Sequence, residues 1–260
     1  MPQYPFDNAA DAAVVRMRAL ESTYDRNTVS LLDALGVRPG VRCLEVGAGG
    51  GSIARWLADA TGPTGSVLAT DLDTRFLESS GPAWLEVRRH DIVTDELPAE
   101  SFDLIHVRLV LVHLPERDLA IRRLVQALAP GGVLIVEDIA ALGQQVSADA
   151  RSEEVYWAVQ HRVLAVLEAG GCNLEWPSRL PKLFERAGLT GVGHRRVIPA
   201  WWNGGGNGIK LLAANITELR PKLRRAGCSQ DELAAYLNLL QSTRFVVSAY
   251  PMVSAWGYKE

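Results

Sequence analysis

The sequence has few residues that would support a cross-linked or metal-clamped fold. Its 260 residues include three cysteines, which are far apart, odd in number and without any Cys-x-x-Cys pair. These residues are Cys43, Cys172 and Cys228. We therefore expect neither a disulfide framework nor a zinc site, and this cysteine usage suits the reducing cytoplasm.

Signals for membranes and nucleic acids are also missing. No stretch approaches the ~20 apolar residues that a membrane span needs. The N-terminal residues lack the basic start and apolar core of a secretion signal. A net charge of −3 gives no basic footprint for nucleic acid or anionic lipid. We expect a cytoplasmic protein that binds a small molecule and neither a membrane nor nucleic acid. Homodimer formation is left open.

What the chain does contain is a regular alternation of strand and helix signals. At 48% hydrophobic and 22% charged residues, it can bury a sizeable core. The runs VRCLEV, SVLATDLD, WLEVRRHDI, SFDLIHVRLV and VLIVED are predicted strands, separated by amphipathic segments. This pattern predicts an α/β, doubly wound fold with a mostly parallel sheet covered by helices on both faces.

We interpret residues 1–260 as a single domain with additions to a core. The core covers residues 36–140, and residues 244–258 predict a final strand that returns to the sheet. Helical patterns outside the core are expected to form a cap. They cover residues 1–35, 141–190 and 200–242, with a helix break predicted at Pro221 and a strand predicted over 189–202.

The segment LEVGAGGGS, residues 44–52, places four glycines in five positions between a predicted strand and a predicted helix. Ligands of open parallel sheets bind beyond the carboxyl ends of the strands, and glycine lets the backbone approach them closely. The spacing Gly47, Gly49, Gly51 is not that of a dinucleotide fingerprint, because Ser52 stands where the third glycine would be. No lysine of a phosphate-binding loop follows either. The loop therefore indicates a ligand that is not dominated by phosphate.

Three acidic residues near the predicted strand ends further restrict the chemical class of the ligand. Asp71 lies about 20 residues after the loop, where a carboxylate can accept hydrogen bonds from ribose hydroxyls. The Asp91 carboxylate could accept a hydrogen bond from the amino group of adenine, with Ile92 as an apolar platform beside it. Glu45 lies next to the glycines and suits a cation or an ammonium group. Together they predict an adenosine that carries an amino acid.

These motifs resemble, in order, those of class I S-adenosylmethionine-dependent methyltransferases that act on small molecules. The resemblance rests on Glu45–Gly51 as ExGxGxG, on ATDLD and HDI, and on FDLIHVRLVLVHLP and LAPGGVLIVED. It implies a seven-stranded sheet with an antiparallel last strand, S-adenosyl-L-methionine as cofactor and S-adenosyl-L-homocysteine as product. It implies cofactor contacts at Glu45, Gly47, Ala48, Gly49, Gly51, Asp71, Leu72, Asp91, Ile92 and Arg108.

The leading hypothesis is a small-molecule methyltransferase, with oxygen preferred over nitrogen or carbon as the acceptor atom. The fourth predicted strand ends at Arg108 and not at an acid, so no metal is expected, in contrast to metal-dependent catechol transferases. Alternatives are an enzyme of the same fold that catalyses a cyclisation or decarboxylation, and a non-catalytic protein that senses the cofactor. An NAD-dependent oxidoreductase is a more distant alternative.

Two histidines are candidate general bases for a hydroxyl acceptor. His113 follows the fourth predicted strand, where it could deprotonate the acceptor or merely order the loop before Pro115. His161 shares a helix face with Trp157, and this face could line the acceptor pocket or pack on neighbouring helices. Residues 200–208, AWWNGGGNG, predict either a mobile lid with aromatic walls or a plain surface connection.

Overall fold

The computed structural model describes residues 11–77, 81–140 and 143–260. The first ten residues of the predicted segment 1–35, and residues 141–142 at the start of the next, lie outside the described residues. The described residues form two compact units. The sheet unit comprises Asp25–Ala140, Glu175–Val197 and Met252–Glu260, and the helical unit comprises Met1–Tyr24, Ala141–Leu174 and Ile198–Pro251, in each case as far as they are described.

Helices and strands alternate along the first half of the chain, as expected. The helices are α1 (Asp11–Ala34), α2 (Ser52–Thr61), α3 (Arg117–Ala127), α4 (Ala150–Ala169), α5 (Leu180–Arg186), α6 (Asn207–Arg225) and α7 (Gln230–Leu240). The strands are β1 (Arg42–Val46), β2 (Ser66–Asp71), β3 (Leu85–Arg89), β4 (Phe102–Arg108), β5 (Leu128–Ile139), β6 (Val146–Ser147), β7 (Thr190–Val197), β8 (Trp201–Trp202), β9 (Val246–Ser248) and β10 (Met252–Tyr258). Within the described part of the chain, no helix is both long and apolar enough to cross a bilayer.

The sheet unit contains a seven-stranded sheet in the order β3-β2-β1-β4-β5-β10-β7. Strands β1 to β5 pair in parallel, and β10 runs antiparallel to both β5 and β7. The predicted fold class and the antiparallel last strand are therefore confirmed. The strand order reverses between β1 and β4, so their carboxyl ends flank the crevice in which such sheets bind ligands.

The central strands are buried on both faces, which explains why their sequences are nearly continuous apolar runs. On one face, the end of α1 and the inner side of α2 close the core through Leu31, Leu57 and Leu104. The edge strand β3 is more exposed, and charged side chains occupy its outward positions. Burial of apolar area on both faces thus holds the carboxyl edge of the sheet in place.

The helical unit packs α4, α6 and α7 together and contains the three-stranded sheet β6-β9-β8. Its interior includes hydrogen-bonded polar groups as well as apolar ones. Tyr156 stacks on Tyr236 with ring centroids 5.5 Å apart, and its hydroxyl donates to the Gln144 side chain at 2.9 Å. The Tyr236 hydroxyl donates to Gln160 at 3.0 Å. These bonds satisfy side chains that would be costly to bury unpaired.

The predicted helix break at Pro221 is wrong, because α6 continues through this residue to Arg225. A proline removes one backbone donor and crowds the preceding turn, which ordinarily kinks or ends a helix. Here Leu219 and Leu223 are fully buried on either side of it. Packing of this apolar face outweighs the local preference.

The predicted strand over residues 244–258 is also wrong in its extent. Its first part, β9, pairs with β6 and β8, and only β10 joins the large sheet. Residues 249–251 separate the two strands, and they include Pro251, which has no N–H to donate to a sheet ladder. The predicted strand over 189–202 divides in the same way, into β7 of one sheet and β8 of the other.

Candidate active site

The glycine loop after β1 is fixed to the end of β2 by backbone hydrogen bonds. The N–H groups of Gly47 and Ala48 donate to the Thr70 carbonyl oxygen at 2.8 and 3.0 Å. The Thr70 hydroxyl in turn donates to the Glu45 carbonyl oxygen at 3.1 Å. Thr70 of β2 therefore fixes both the carboxyl end of β1 and the start of the loop.

The alternating glycines of this loop each require glycine for backbone reasons. Gly47, Gly49 and Gly51 have φ values of +71°, +54° and +79°, in the left-handed region that other residues disfavour. A Cβ on Gly47 would lie 2.1 Å from Cγ2 of Val110, whereas a Cβ on Gly49 would meet no atom within 4 Å. The backbone at Gly49 thus borders open space into which a ligand can fit.

Asp71, predicted to bind a ribose, lies directly against this loop. Its carboxylate accepts hydrogen bonds from the N–H of Gly49 at 2.9 Å and from the N–H of Asp73 at 3.0 Å. The next residue, Leu72, is 55% exposed although it is apolar. The structure therefore brings together the predicted Gly49 and Asp71, and it leaves an apolar side chain beside them at the surface.

The predicted adenine contacts Asp91 and Ile92 follow β3 and do not close it, because that strand ends at Arg89. Asp91 begins a tight turn, in which its carboxylate accepts the N–H of Val93 at 2.8 Å. Ile92 is 4% exposed, so its side chain offers little surface to a ligand in this conformation.

Arg108, the last residue of β4, is paired within the sheet unit. Its guanidinium donates to Asp25 at 2.8 Å and to the Thr28 hydroxyl at 3.0 Å, and both partners lie on α1. The side chain that was predicted to lie beside the donor thus joins β4 to α1.

The candidate base His113 lies at the end of a 3-10 turn, Leu111–His113, and its side chain is half-buried. The preceding residue, Val112, is held at both ends of its backbone. Its N–H donates to the Asp138 carboxylate at 3.1 Å, and its carbonyl oxygen accepts from Arg117 at 3.1 Å. Burial raises the pKa of Asp138 well above its usual range, against the opposing effects of Val112 and Arg117. The turn that presents His113 is therefore firmly positioned.

The second candidate base, His161, belongs to the helical unit. Its ring is exposed on α4 and stacks on Trp157, with centroids 5.4 Å apart and ring planes 23° apart. A base role for His161 and an acceptor pocket at this face both stay predictions.

The sequence analysis missed His106, which is fully buried in β4 between two carboxylates. Its Nδ1 lies 2.6 Å from Glu45 Oε2, and its Nε2 lies 3.3 Å from Glu137 Oε2. Glu45 was predicted to face a cation of the ligand; in the structure, the cation beside it is this imidazole. A signal was present, since each of three neighbouring buried strands carries at least one ionisable residue near its carboxyl end.

The three groups reinforce one another electrostatically. Burial alone would lower the pKa of His106, but Glu45 and Glu137 raise it to about 9. Burial alone would raise the pKa of Glu137, but His106 and the hydroxyl donors lower it to about 2. The ring is therefore an imidazolium at neutral pH, because it is buried together with compensating charge.

Metal binding is not indicated by the arrangement of the described side chains. Over residues 11–77, 81–140 and 143–260, no three or more His, Cys, Asp or Glu residues form a group that could hold a metal ion. The expected absence of a metal stays a prediction.

The sequence is similar to known methyltransferases. The family model for a methyltransferase domain matches residues 44–134, from the glycine loop to β5. Methyltransferase GfsG of Streptomyces halstedii is 31% identical over 173 residues, covering 64% of this chain and 58% of that protein. The ubiquinone/menaquinone biosynthesis C-methyltransferase UbiE of Laribacter hongkongensis is 32% identical over 111 residues, covering 40% of this chain and 46% of that protein.

The fold is similar to that of solved methyltransferases. Phosphoethanolamine N-methyltransferase 2 of Haemonchus contortus, in complex with S-adenosyl-L-methionine, superposes with a TM-score of 0.59 at 16% identity, covering 97% of this chain and 58% of that one. The chain spans between about a third and three fifths of the length of the curated relatives it matches. The matched model and the sheet topology show that residues 44–134 form a methyltransferase domain with the class I S-adenosylmethionine-dependent fold.

Replacing Gly47 with alanine is expected to lower the free energy of unfolding by about 3 kcal/mol, because the new Cβ adds a clash with Val110 to the strain of a positive φ. Replacing Gly49 with alanine is the matched control, since it introduces the strain without the clash, and should cost only about 1 kcal/mol. Urea denaturation of both variants measures the difference. Equal losses of unfolding free energy in the two variants would show that contact with Val110 does not restrict the residue at position 47.

Proposed function

We propose that the chain transfers a methyl group from S-adenosyl-L-methionine to a small-molecule acceptor and releases S-adenosyl-L-homocysteine. The observation that carries the proposal is the hydrogen bond between Gly49 and Asp71 at the carboxyl ends of β1 and β2. It joins a backbone that leaves room for a ligand to a carboxylate suited to ribose hydroxyls. The same carboxylate would repel a 2′-phosphate, which argues against NADP.

In the proposed binding mode, the glycine loop contacts the methionine part and Asp71 accepts the ribose hydroxyls. Leu72 and Asp91 contact the adenine, the buried Ile92 is left out of this contact surface, and Ala48 contributes backbone to the glycine loop. Glu45 and Arg108 do not touch the donor in this binding mode. Glu45 is paired with His106 and Arg108 with α1, and both support the site through these partners. This division follows from the burial of Glu45, which is 2% exposed, whereas Asp71 is only partly buried.

When bound, the donor supplies a methyl group already activated on a sulfonium. The chain's own residues therefore need to orient the acceptor atom in line with that methyl group and to exclude water. Orientation is well served by a rigid sheet edge and by the firmly held Leu111–His113 turn. We propose that the acceptor binds beside this turn.

We propose a hydroxyl as the acceptor group, with His113 as the general base. A phenol or alcohol must lose its proton during transfer, and a half-buried imidazole on a fixed turn can accept it. His161 is the second candidate for this role. The relatives named above include a C-methyltransferase and an N-methyltransferase by name, so the preference for oxygen rests on His113 and not on them.

Purified protein incubated with S-adenosyl-L-methionine should release S-adenosyl-L-homocysteine only when a suitable acceptor is present, because transfer needs both partners in line. Mass spectrometry against a panel of phenols, alcohols, amines and activated carbon acids measures this. Tight S-adenosyl-L-homocysteine binding without turnover of any acceptor would favour the cyclisation, decarboxylation or sensing alternatives. Greater thermal stabilisation by NAD than by S-adenosyl-L-homocysteine would overturn the cofactor assignment.

Replacing Asp71 with asparagine should weaken S-adenosyl-L-homocysteine binding by about 10- to 100-fold, because charged hydrogen bonds to the ribose hydroxyls are lost. Isothermal titration calorimetry measures the dissociation constant. Asp73→Asn is the matched control, since that acid lies two residues away and pairs with Arg75 at the surface. Unchanged affinity in Asp71→Asn would remove the ribose assignment.

Replacing His113 with glutamine should lower kcat for a hydroxyl acceptor by about 100-fold or more, while cofactor affinity stays unchanged. Activity of the variant should recover as the pH rises towards the pKa of the acceptor, because the deprotonated acceptor needs no base. His194→Gln, on the exposed side of β7, is the control. A variant with full activity at pH 7 would show that His113 only orders its loop.

A further inference from the structure

We propose that His106 is a positioning residue that holds Glu45, and through it the glycine loop, only while the imidazole is protonated. S-adenosyl binding would then depend on the charge of a side chain that the donor does not touch. This inference rests on the proposed function, because it concerns the binding site of the same donor.

The connection from His106 to the loop is short and consists of contacts within the sheet unit. Glu45 precedes Gly47 by two residues, and the two share β1 and its continuation. The Glu45 carboxylate bonds to His106, and its carbonyl oxygen accepts the Thr70 hydroxyl at 3.1 Å. The Thr70 carbonyl oxygen also accepts hydrogen bonds from the first two N–H groups of the loop. Any movement of Glu45 therefore acts on the residue that anchors the loop.

The charges that face His106 come from the elements packed around it. From β1 come Glu45 and Cys43, whose thiol pKa is raised to about 12 by burial and by Glu45, so it stays neutral. From β5 comes Glu137, whose carboxylate also accepts hydrogen bonds from the Thr28 hydroxyl of α1 and the Ser254 hydroxyl of β10. Beyond Thr28, Arg108 is already paired with Asp25. The centre thus holds two carboxylates and one imidazolium.

Loss of the proton from His106 would affect the two carboxylates unequally. A neutral imidazole has one N–H, so it can donate to Glu45 or to Glu137 but not to both. Glu137 keeps two other donors, Thr28 at 2.5 Å and Ser254 at 2.6 Å. Among the described residues, the Glu45 carboxylate has His106 as its hydrogen-bond donor and no second one. Glu45 is therefore the group that must move or take up a proton.

The direction of the pH effect follows from the same charges. The carboxylates raise the pKa of His106 to about 9, above its ordinary value of 6.5. A group whose pKa is raised on folding stabilises the native state fully below its unfolded pKa, and this contribution is lost as the pH rises through the folded value. Loop order should therefore be complete near pH 6.5 and decline towards pH 9 and above.

The test measures S-adenosyl-L-homocysteine affinity by calorimetry from pH 6.5 to 10 in four variants and the wild type. The variants are His106→Gln, Glu45→Gln, the double variant of both, and His194→Gln as the surface control. The ligand's own α-amino group titrates in this range. Because it does so equally with every protein, the ratio of dissociation constants between wild type and variant isolates the contribution of the protein.

We expect His106→Gln to bind about tenfold more weakly than wild type at pH 7, because Glu45 loses its charged partner. This gap should close above pH 9, where the wild-type ring is itself neutral. The double variant should recover most of the lost affinity, since two neutral amides can hydrogen-bond without an unpaired charge. A ratio of one between His106→Gln and wild type at all pH values would overturn the proposal.

A second measurement reads the charge of His106 without any ligand. The chain has five histidines, so ¹⁵N-labelled imidazoles can be resolved by NMR and His106 assigned from His106→Gln. We expect an imidazolium signal up to about pH 9, and a neutral ring at pH 7 would overturn the proposal. If wild type fails to bind S-adenosyl-L-homocysteine at all, the proposed function falls, whereas this titration still decides the state of His106.

Discussion

The ion pair between Glu45 and His106 is the interaction on which the candidate site depends. Each is buried near the carboxyl end of a central strand, where an unpaired charge would be very costly. His106 of β4 pairs with Glu45 of β1 and with Glu137 of β5, so the buried charge on each strand is compensated by charge on a neighbouring strand. The glycine loop begins two residues beyond this centre, so its geometry is inherited from the interior of the sheet. A ligand that approaches the loop meets a backbone that the core has already placed.

Much of this arrangement could be predicted from the sequence because its signals are local. Strands buried on both faces are continuous apolar runs, and the parallel sheet follows from their alternation with helices. The glycine loop is recognisable because a positive φ at Gly47, Gly49 and Gly51 leaves few alternatives to glycine. Asp71 could be placed beside the loop because the carboxyl ends of adjacent parallel strands meet at one edge. Each inference needed only neighbouring residues and one rule of sheet geometry.

The features that escaped prediction depend on partners far away in the chain. His106 stands in an apolar run, and its two carboxylate partners are 61 and 31 residues distant, so no local pattern pairs them. Pro221 disfavours a helix locally, yet burial on both sides of it decides the outcome. The segment 244–258 is uniformly apolar, and only tertiary pairing reveals that its two halves join different sheets. Hydrophobic pattern specifies burial well, but it does not specify which neighbour a buried residue meets.

The close approach of Gly47 to Val110 links the two halves of the proposed chemistry. Val110 immediately precedes the turn that carries His113, so the backbone of the donor loop is in van der Waals range of the support of the candidate base. Close-packed contacts of this kind transmit displacement and do not absorb it. Because the positive φ at position 47 favours glycine, the size of the side chain at position 110 should set how closely the loop and the turn approach each other. The distance between donor and base would then be a property of side-chain volume in the core.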